Sequence, residues 1–211
     1  MTTNRDSGAP LLQAVAERII ARHLTRGFSR DVKIVSELVT FRGPGIDVGY
    51  TTSDGARRTV KVKADAYCGT DSGKIDDRAL AFYRADTRAF AFESVANTAT
   101  REPGWMLGSD ADELFYYYLA LGQEEDEVRA LLGEPDEVFF SELLVEHDDL
   151  VVLPMAEARR WFAQNADAYP PRPIFLGSTP AWYRLVPRAV VQSQLPGVRI
   201  VGPVFASLAL R

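Results

Sequence analysis

The chain has few cysteine and histidine residues. Its 211 residues include one cysteine, Cys68, and two histidines, His23 and His147. A single cysteine cannot form a disulfide within the chain, and two poorly accompanied histidines far apart in sequence do not predict a zinc centre. The sequence therefore excludes a disulfide framework, and the cysteine content favours a reducing compartment.

Long apolar runs and an excess of positive charge are also missing. No stretch approaches the roughly 18 apolar residues of a membrane span, and the N-terminal residues lack the apolar core of a signal peptide. We therefore expect a cytoplasmic protein with no membrane partner. The net charge of −5 at pH 7 argues against bulk attraction to nucleic acid, so a nucleic-acid role would need a local basic patch.

The residues that are present suit a globular α/β protein. Hydrophobic residues make up 46% of the chain and charged residues 25%, which is enough apolar material to bury a core. Helical spacing of apolar residues predicts helices over about 9–25, 124–132 and 154–165. The run at 114–119 is apolar on both faces, as in a central strand.

These elements predict an α/β or α+β fold in which helices flank a mixed β-sheet. We expect a single domain over 1–211, with a semi-ordered insertion at 68–86, a stiff proline-rich connector at 169–173 and a C-terminal extension from about 150.

The main candidates for functional-site residues lie in a predicted β-hairpin. Apolar residues alternate with Asp47 in its first strand and with Lys61 and Lys63 in its second. A strict two-residue turn would put Asp47 and the lysines on opposite faces, whereas a loop with an odd number of residues puts Asp47 opposite Lys61 or Lys63. The alternation of buried positions favours the odd loop.

An aspartate beside a lysine on a sheet is suited to phosphodiester hydrolysis. A divalent cation polarises the phosphoryl group and activates water, and an ammonium group stabilises charge beside the attacking oxygen. Mg²⁺ or Mn²⁺ needs only a few carboxylates. Asp47, Asp65 and Glu93 are the candidate metal ligands, and Lys61 or Lys63 could supply the ammonium group.

Several short motifs follow one another along the chain: GIDV at 45–48, VKVKAD at 60–65, AFESVANT at 91–98, PGWM at 103–106 and SDAD at 109–112. In this order they resemble the PD-(D/E)XK nuclease-like superfamily, in particular its small uncharacterised phage and bacterial branch. The resemblance covers about residues 10–120. It implies a restriction-endonuclease-like core, Mg²⁺-dependent cleavage of DNA, Asp47 as a metal ligand, Lys63 as the catalytic lysine and Glu17 as an acid on the first helix.

The sequence departs from that pattern at Lys61, where the family carries an acid two residues before the catalytic lysine. A second lysine cannot bind a cation and repels one by like charge. Either Glu93 or Asp65 replaces the missing carboxylate, or the chain keeps the fold without the activity.

Two main hypotheses follow for the function, and a third is weaker. The first is a metal-dependent deoxyribonuclease, and the second is an inactive nuclease-fold module that binds DNA or a protein partner. The third is an acidic interaction protein of a mobile element. Arg57, Arg58 and Lys61 form a basic strip suited to a phosphate backbone, and a homodimer is compatible with all three hypotheses.

Overall fold

The computed structural model describes residues 8–27, 29–36, 45–65, 88–176 and 179–209. The predicted insertion at 68–86 lies outside them. The helices in the described residues are α1 (Gly8–Arg26), α2 (Trp105–Gly108), α3 (Glu125–Leu132), α4 (Asp136–Glu142), α5 (Met155–Asn165), α6 (Arg188–Gln194) and α7 (Phe205–Ala209). The strands are β1 (Arg30–Ile34), β2 (Val48–Thr51), β3 (Arg57–Asp65), β4 (Ala89–Asn97), β5 (Glu102–Pro103), β6 (Glu113–Leu121), β7 (Val145–Pro154), β8 (Pro171–Leu176), β9 (Thr179–Pro187) and β10 (Arg199–Gly202).

The strands form two sheets, which confirms the α/β prediction. The larger sheet has the order β1-β2-β3-β6-β7-β10, and the smaller has the order β5-β4-β9-β8. Within the larger sheet β3 and β6 are parallel, and the other neighbours are antiparallel. Position 150, the expected start of an extension, lies inside β7 of the larger sheet.

The central strand β6 separates two apolar cores. Phe115, Tyr117 and Leu119 point to the side that α1 covers, while Tyr116 and Tyr118 point to the smaller sheet. All three tyrosines are fully buried, because neighbouring side chains of a strand alternate between faces and both faces are covered here. The prediction that the aromatic run belongs to the core is confirmed.

The proline-rich connector was predicted wrongly. The segment from Pro171 onward forms β8, which pairs with β9 at the edge of the smaller sheet. Proline has no backbone N–H to donate, and an edge strand leaves some of its N–H groups unpaired in any case. The second sheet was likewise not predicted, because strand periodicity does not say which strands pair.

No helix in the described part of the chain is long and apolar enough to cross a membrane.

Gly104 brings the start of α2 against β4 and so fixes the surroundings of Glu93. A Cβ atom added at Gly104 would lie 2.3 Å from the carbonyl oxygen of Glu93. The backbone φ of Gly104 is −67°, which alanine adopts readily, so the objection to a side chain is steric. The close approach of these two backbones therefore requires glycine.

We predict that Gly104→Ala destabilises the protein by about 1–3 kcal/mol, the usual cost of overpacking a tight contact. Gly108→Ala is the matched control, because its added Cβ would come no closer than 3.7 Å to another atom. Urea unfolding of both variants and the wild type measures the difference. Equal stability of the two variants would contradict the close approach at Gly104.

Candidate functional site

Asp47 comes one residue before β2 and lies beside Val60 and Lys61 of β3. Val48 pairs with Val60 and Gly49 with Thr59, so the loop has an odd number of residues, as the alternation predicted. The backbone N–H of Asp47 also donates to the carbonyl of Val60 at 2.8 Å. Of the two registers that would bring an aspartate and a lysine to one face, the structure has the one that selects Lys61 rather than Lys63.

The carboxylate of Asp47 completes the hydrogen bonding of β3. Because β2 begins at Val48, no backbone of β2 reaches the N–H of Val62, and the Oδ2 atom of Asp47 accepts that N–H at 2.7 Å. The Nζ atom of Lys61 lies 3.0 Å from Oδ2 and 3.3 Å from Oδ1 of the same carboxylate. Both side chains are mostly buried, at 10% exposure for Asp47 and 16% for Lys61.

The side chain of Gln13 on α1 forms hydrogen bonds further along the same edge of β3. Its Nε2 atom donates to the carbonyl of Val62 at 2.9 Å, and its Oε1 atom accepts the N–H of Ala64 at 3.1 Å. A primary amide has two N–H donors and one carbonyl acceptor, so Gln13 can pair with β3 as a peptide group would and still donate to Glu17. Asp47 and Gln13 together therefore take the place of a strand beside the end of β3.

Glu17 lies one helical turn after Gln13 and adjoins Asp47. Its carboxylate accepts a hydrogen bond from Gln13 at 2.8 Å and another from the hydroxyl of Ser36, and only 6% of the residue is exposed. Burial raises the pKa of Glu17, the two hydrogen bonds lower it, and the nearby charges of Asp47 and Lys61 raise and lower it respectively. We call Gln13, Glu17, Ser36, Asp47 and Lys61 the edge cluster.

The other predicted site residues meet between the two sheets. The carboxylate of Glu93 accepts the hydroxyl of Tyr183 at 2.8 Å and the backbone N–H of Trp105 at 2.9 Å. The Nζ atom of Lys63 lies 5.9 Å from the centre of the Tyr183 ring. We call Lys63, Asp65, Glu93, Tyr116 and Tyr183 the inter-sheet cluster.

Asp65 belongs to the inter-sheet cluster through Tyr116, whose hydroxyl donates to its carboxylate. Burial raises the pKa of Asp65, while the positive charge of Lys63 and the Tyr116 hydrogen bond lower it. Burial and the nearby charge of Glu93 raise the pKa of Tyr183, so its hydroxyl stays protonated and donates. Each carboxylate of this cluster therefore has a donor supplied by the protein.

The predicted residues thus divide into two groups. Glu17 and Asp47 lie with Lys61, whereas Lys63, Asp65 and Glu93 lie around Tyr183. The recorded contacts of the Asp47 carboxylate are with Lys61 and Val62. Sequence reasoning missed Gln13, Ser36 and Tyr183, although the four-residue spacing of Gln13 and Glu17 indicates that they share a helix face.

The donor set, as arranged, does not fit Mg²⁺ or Mn²⁺. A divalent cation needs carboxylate oxygens that face a common open position, and at Asp47 the ammonium group of Lys61 takes that position. Glu93 and Asp65 are occupied by hydroxyl and backbone donors. Within the described ranges, no group of three or more His, Cys, Asp or Glu residues is arranged to hold a metal.

A separate group of cations lies on the face of β1–β3 opposite α1. Arg30 pairs across the sheet with Thr51, and Thr51 pairs with Arg57, while Lys33 pairs with Gly49. Directly paired residues share a face, so Arg30, Lys33 and Arg57 lie together, and all three are exposed. We call these three residues the basic face.

The other two members of the predicted basic strip do not belong to the basic face. Arg58 is exposed but belongs to the opposite face, where it lines a cavity of about 670 Å³ together with Glu113, Glu157 and Arg199. Lys61 lies on the same face of β3 as Arg57, but it is mostly buried and its ammonium group pairs with Asp47. Of the strip predicted from the sequence, only Arg57 is therefore part of the basic face, and sequence reasoning missed Arg30 and Lys33.

Comparison with known proteins adds no relative to this picture. No family model matches the chain, and no curated protein or solved structure matches it either.

The edge cluster makes a prediction about stability. Asp47→Asn and Lys61→Met should each destabilise the protein by about 3 kcal/mol, because each leaves the partner charge buried without compensation. The double variant should lose clearly less than the sum, since it removes both charges. Chemical denaturation of the four proteins of this cycle measures the coupling. Additive losses would contradict a direct Asp47–Lys61 interaction.

Proposed function

We propose that this chain is a nuclease-fold module that binds DNA through the basic face and does not cut it. The observation that carries the proposal is the placement of Arg30, Lys33 and Arg57 on one open side of β1–β3. The side chains of these three residues make no hydrogen bond or ion pair with the described residues, and all three are exposed. Guanidinium and ammonium groups of this kind contact the phosphates of a nucleic-acid backbone.

The distribution of charge supports an anionic partner, such as a nucleic acid. Strands β1, β2 and β3 together carry six cationic and two anionic side chains, although the whole chain has a net charge of −5. Helices α3 and α4 together carry six acidic side chains and one basic side chain. A chain with its charges separated in this way presents a positive region to an anionic polymer while it repels that polymer elsewhere.

The nuclease-fold part of the proposal rests on the resemblance of the sequence motifs. Its support from the structure is positional. Glu17 comes from the first helix, Asp47 precedes one strand of the hairpin, and both lysines lie on the next strand, in the order that the resemblance implies.

Lys61 is the reason why we expect no cleavage of DNA. In the pattern that the motifs resemble, an acid two residues before the lysine helps to hold the metal ion. Here the side chain at that position is cationic and lies 3.0 Å from the Asp47 carboxylate. The position that a metal ion would need is thus filled by a charge of the same sign, and like charges repel strongly where both are shielded from water.

We predict that a triple variant with Arg30→Glu, Lys33→Glu and Arg57→Glu loses most of its affinity for DNA. Each phosphate contact removed should lower the slope of log affinity against log salt by about 1. Fluorescence anisotropy with a labelled oligonucleotide over a salt series measures the slope. Arg160→Glu is the control, because Arg160 is exposed on α5, away from the basic face. Equal binding by the triple variant and the control would contradict the proposal.

A second candidate function is the metal-dependent nuclease, which the burial of two carboxylates of the edge cluster, Glu17 and Asp47, favours. It requires the Lys61 ammonium group to leave Asp47 so that a cation can enter.

Plasmid incubation with Mg²⁺, Mn²⁺ or EDTA separates the two candidates. We predict intact plasmid under all three conditions, with the wild type and with Lys63→Ala alike. Cleavage that EDTA abolishes and Lys63→Ala weakens would replace the binding proposal with the nuclease. Cleavage that ignores both changes would indicate a contaminant, and the purified protein would then be assayed again after a further separation step.

A further inference from the structure

We infer that the cavity of about 670 Å³ beside Arg58 binds a short zwitterionic peptide. Two guanidinium groups, those of Arg58 and Arg159, would hold the carboxylate of the peptide, and the carboxylates of Asp110 and Glu157 would hold its ammonium group. We call these four residues the open charges. The inference does not depend on DNA binding, because none of the four belongs to the basic face.

The cavity lies where the β2–β3 hairpin, the start of β6 and the start of α5 meet. Tyr50 and Arg58 come from the hairpin, residues 110–113 lead into β6, and Ala156 and Arg159 come from α5. Small-molecule sites in proteins have volumes of roughly 300–1,000 Å³. The cavity is therefore large enough for a ligand of a few residues.

The other charged side chains of the cavity wall are satisfied within the protein. The Glu113 carboxylate accepts hydrogen bonds from Arg199 at 2.6 Å and from the hydroxyl of Tyr50 at 2.7 Å. The Asp112 carboxylate accepts the backbone N–H of Thr59 at 2.8 Å and its hydroxyl at 3.0 Å. These bonds fix the wall, and they leave the open charges as the groups to which a ligand can bind.

The open charges have no comparable partners, although all four line the same cavity. Their side chains make no hydrogen bond or ion pair with the described residues. The Nε atom of Arg159 is also buried without a hydrogen-bond partner. An N–H donor that is buried without an acceptor is costly, and a carboxylate can accept two parallel hydrogen bonds from a guanidinium group. A ligand carboxylate would therefore supply what Arg159 lacks.

The balance of the open charges favours a ligand that carries both signs. Two cations and two anions line one space without pairing with each other, so a simple anion or a simple cation would meet charges of its own sign. A peptide with free termini can satisfy both pairs. The rest of the wall includes Ala111, Pro154 and Ala156, whose small apolar groups suit short side chains such as that of alanine.

The experiment titrates three peptides into the isotope-labelled full-length protein and follows the backbone amides by two-dimensional NMR. The peptides are trialanine with free termini, N-acetyl-trialanine and trialanine amide. The variants are Arg159→Gln and Glu157→Gln. Arg160→Gln and Glu137→Gln are the matched controls, because both residues are exposed and neither lines the cavity. The spectra also show whether each variant is folded.

We expect trialanine to bind the wild type and both controls at one site, with the largest shifts at Ala111 and Ala156. Each capped peptide should bind about tenfold more weakly, because it loses a charge-assisted contact. Arg159→Gln should weaken trialanine binding similarly and should make amidation of the peptide matter less. Glu157→Gln should do the same for acetylation, since coupled partners give non-additive losses.

Failure of trialanine to bind the wild type would overturn the inference. Equal binding of all three peptides would overturn it too, because the charges of the ligand would not matter. N-acetyl-trialanine that binds as tightly as trialanine would indicate a simple anion site instead. Binding that neither Arg159→Gln nor Glu157→Gln weakens would place the peptide elsewhere. If Arg159→Gln does not fold, Arg58→Gln replaces it with the same expected loss, since Arg58 is exposed.

Discussion

The contact between the Asp47 carboxylate and the Lys61 ammonium group is the interaction on which the organisation of this site depends. It holds the end of the hairpin together, because the same carboxylate satisfies the backbone N–H of Val62 beyond the start of β2. It also neutralises one member of a buried acidic pair. Together with the hydrogen bonds of Gln13, this contact joins α1, the hairpin and the end of β3.

The two faces of strand β3 have different surroundings. Val60, Val62 and Ala64 pack into the core under α1, so the alternate residues Lys61, Lys63 and Asp65 must lie on the other face. Along that face, Lys61 meets Asp47 and Lys63 meets Tyr183. The two lysines therefore serve different clusters although they are only two residues apart, and this separation explains why the predicted ligands do not converge on one point.

Much of the fold could be predicted from local patterns, and much of the site could not. Helical spacing indicated α1, α3 and α5, and the apolar run indicated β6, because burial imposes these periods directly. The odd hairpin loop followed from the same reasoning. The choice of Lys61 over Lys63, the pairing of β4 with β9 and the reach of Gln13 to β3 depend on contacts between distant segments, which no local period encodes. Only the pairing of β1 with β2 and of β2 with β3 places Arg30 and Lys33 beside Arg57.

The central claim is that Lys61 supplies the cation of the Asp47 carboxylate. A crystal structure of the wild-type protein grown with millimolar MnCl₂ and measured at the manganese absorption edge tests it most directly. The account predicts the Lys61 Nζ atom at about 3 Å from Asp47, as in the present structure, with no anomalous peak between Glu17 and Asp47. A manganese peak at that position, with the Lys61 side chain displaced, would contradict the account.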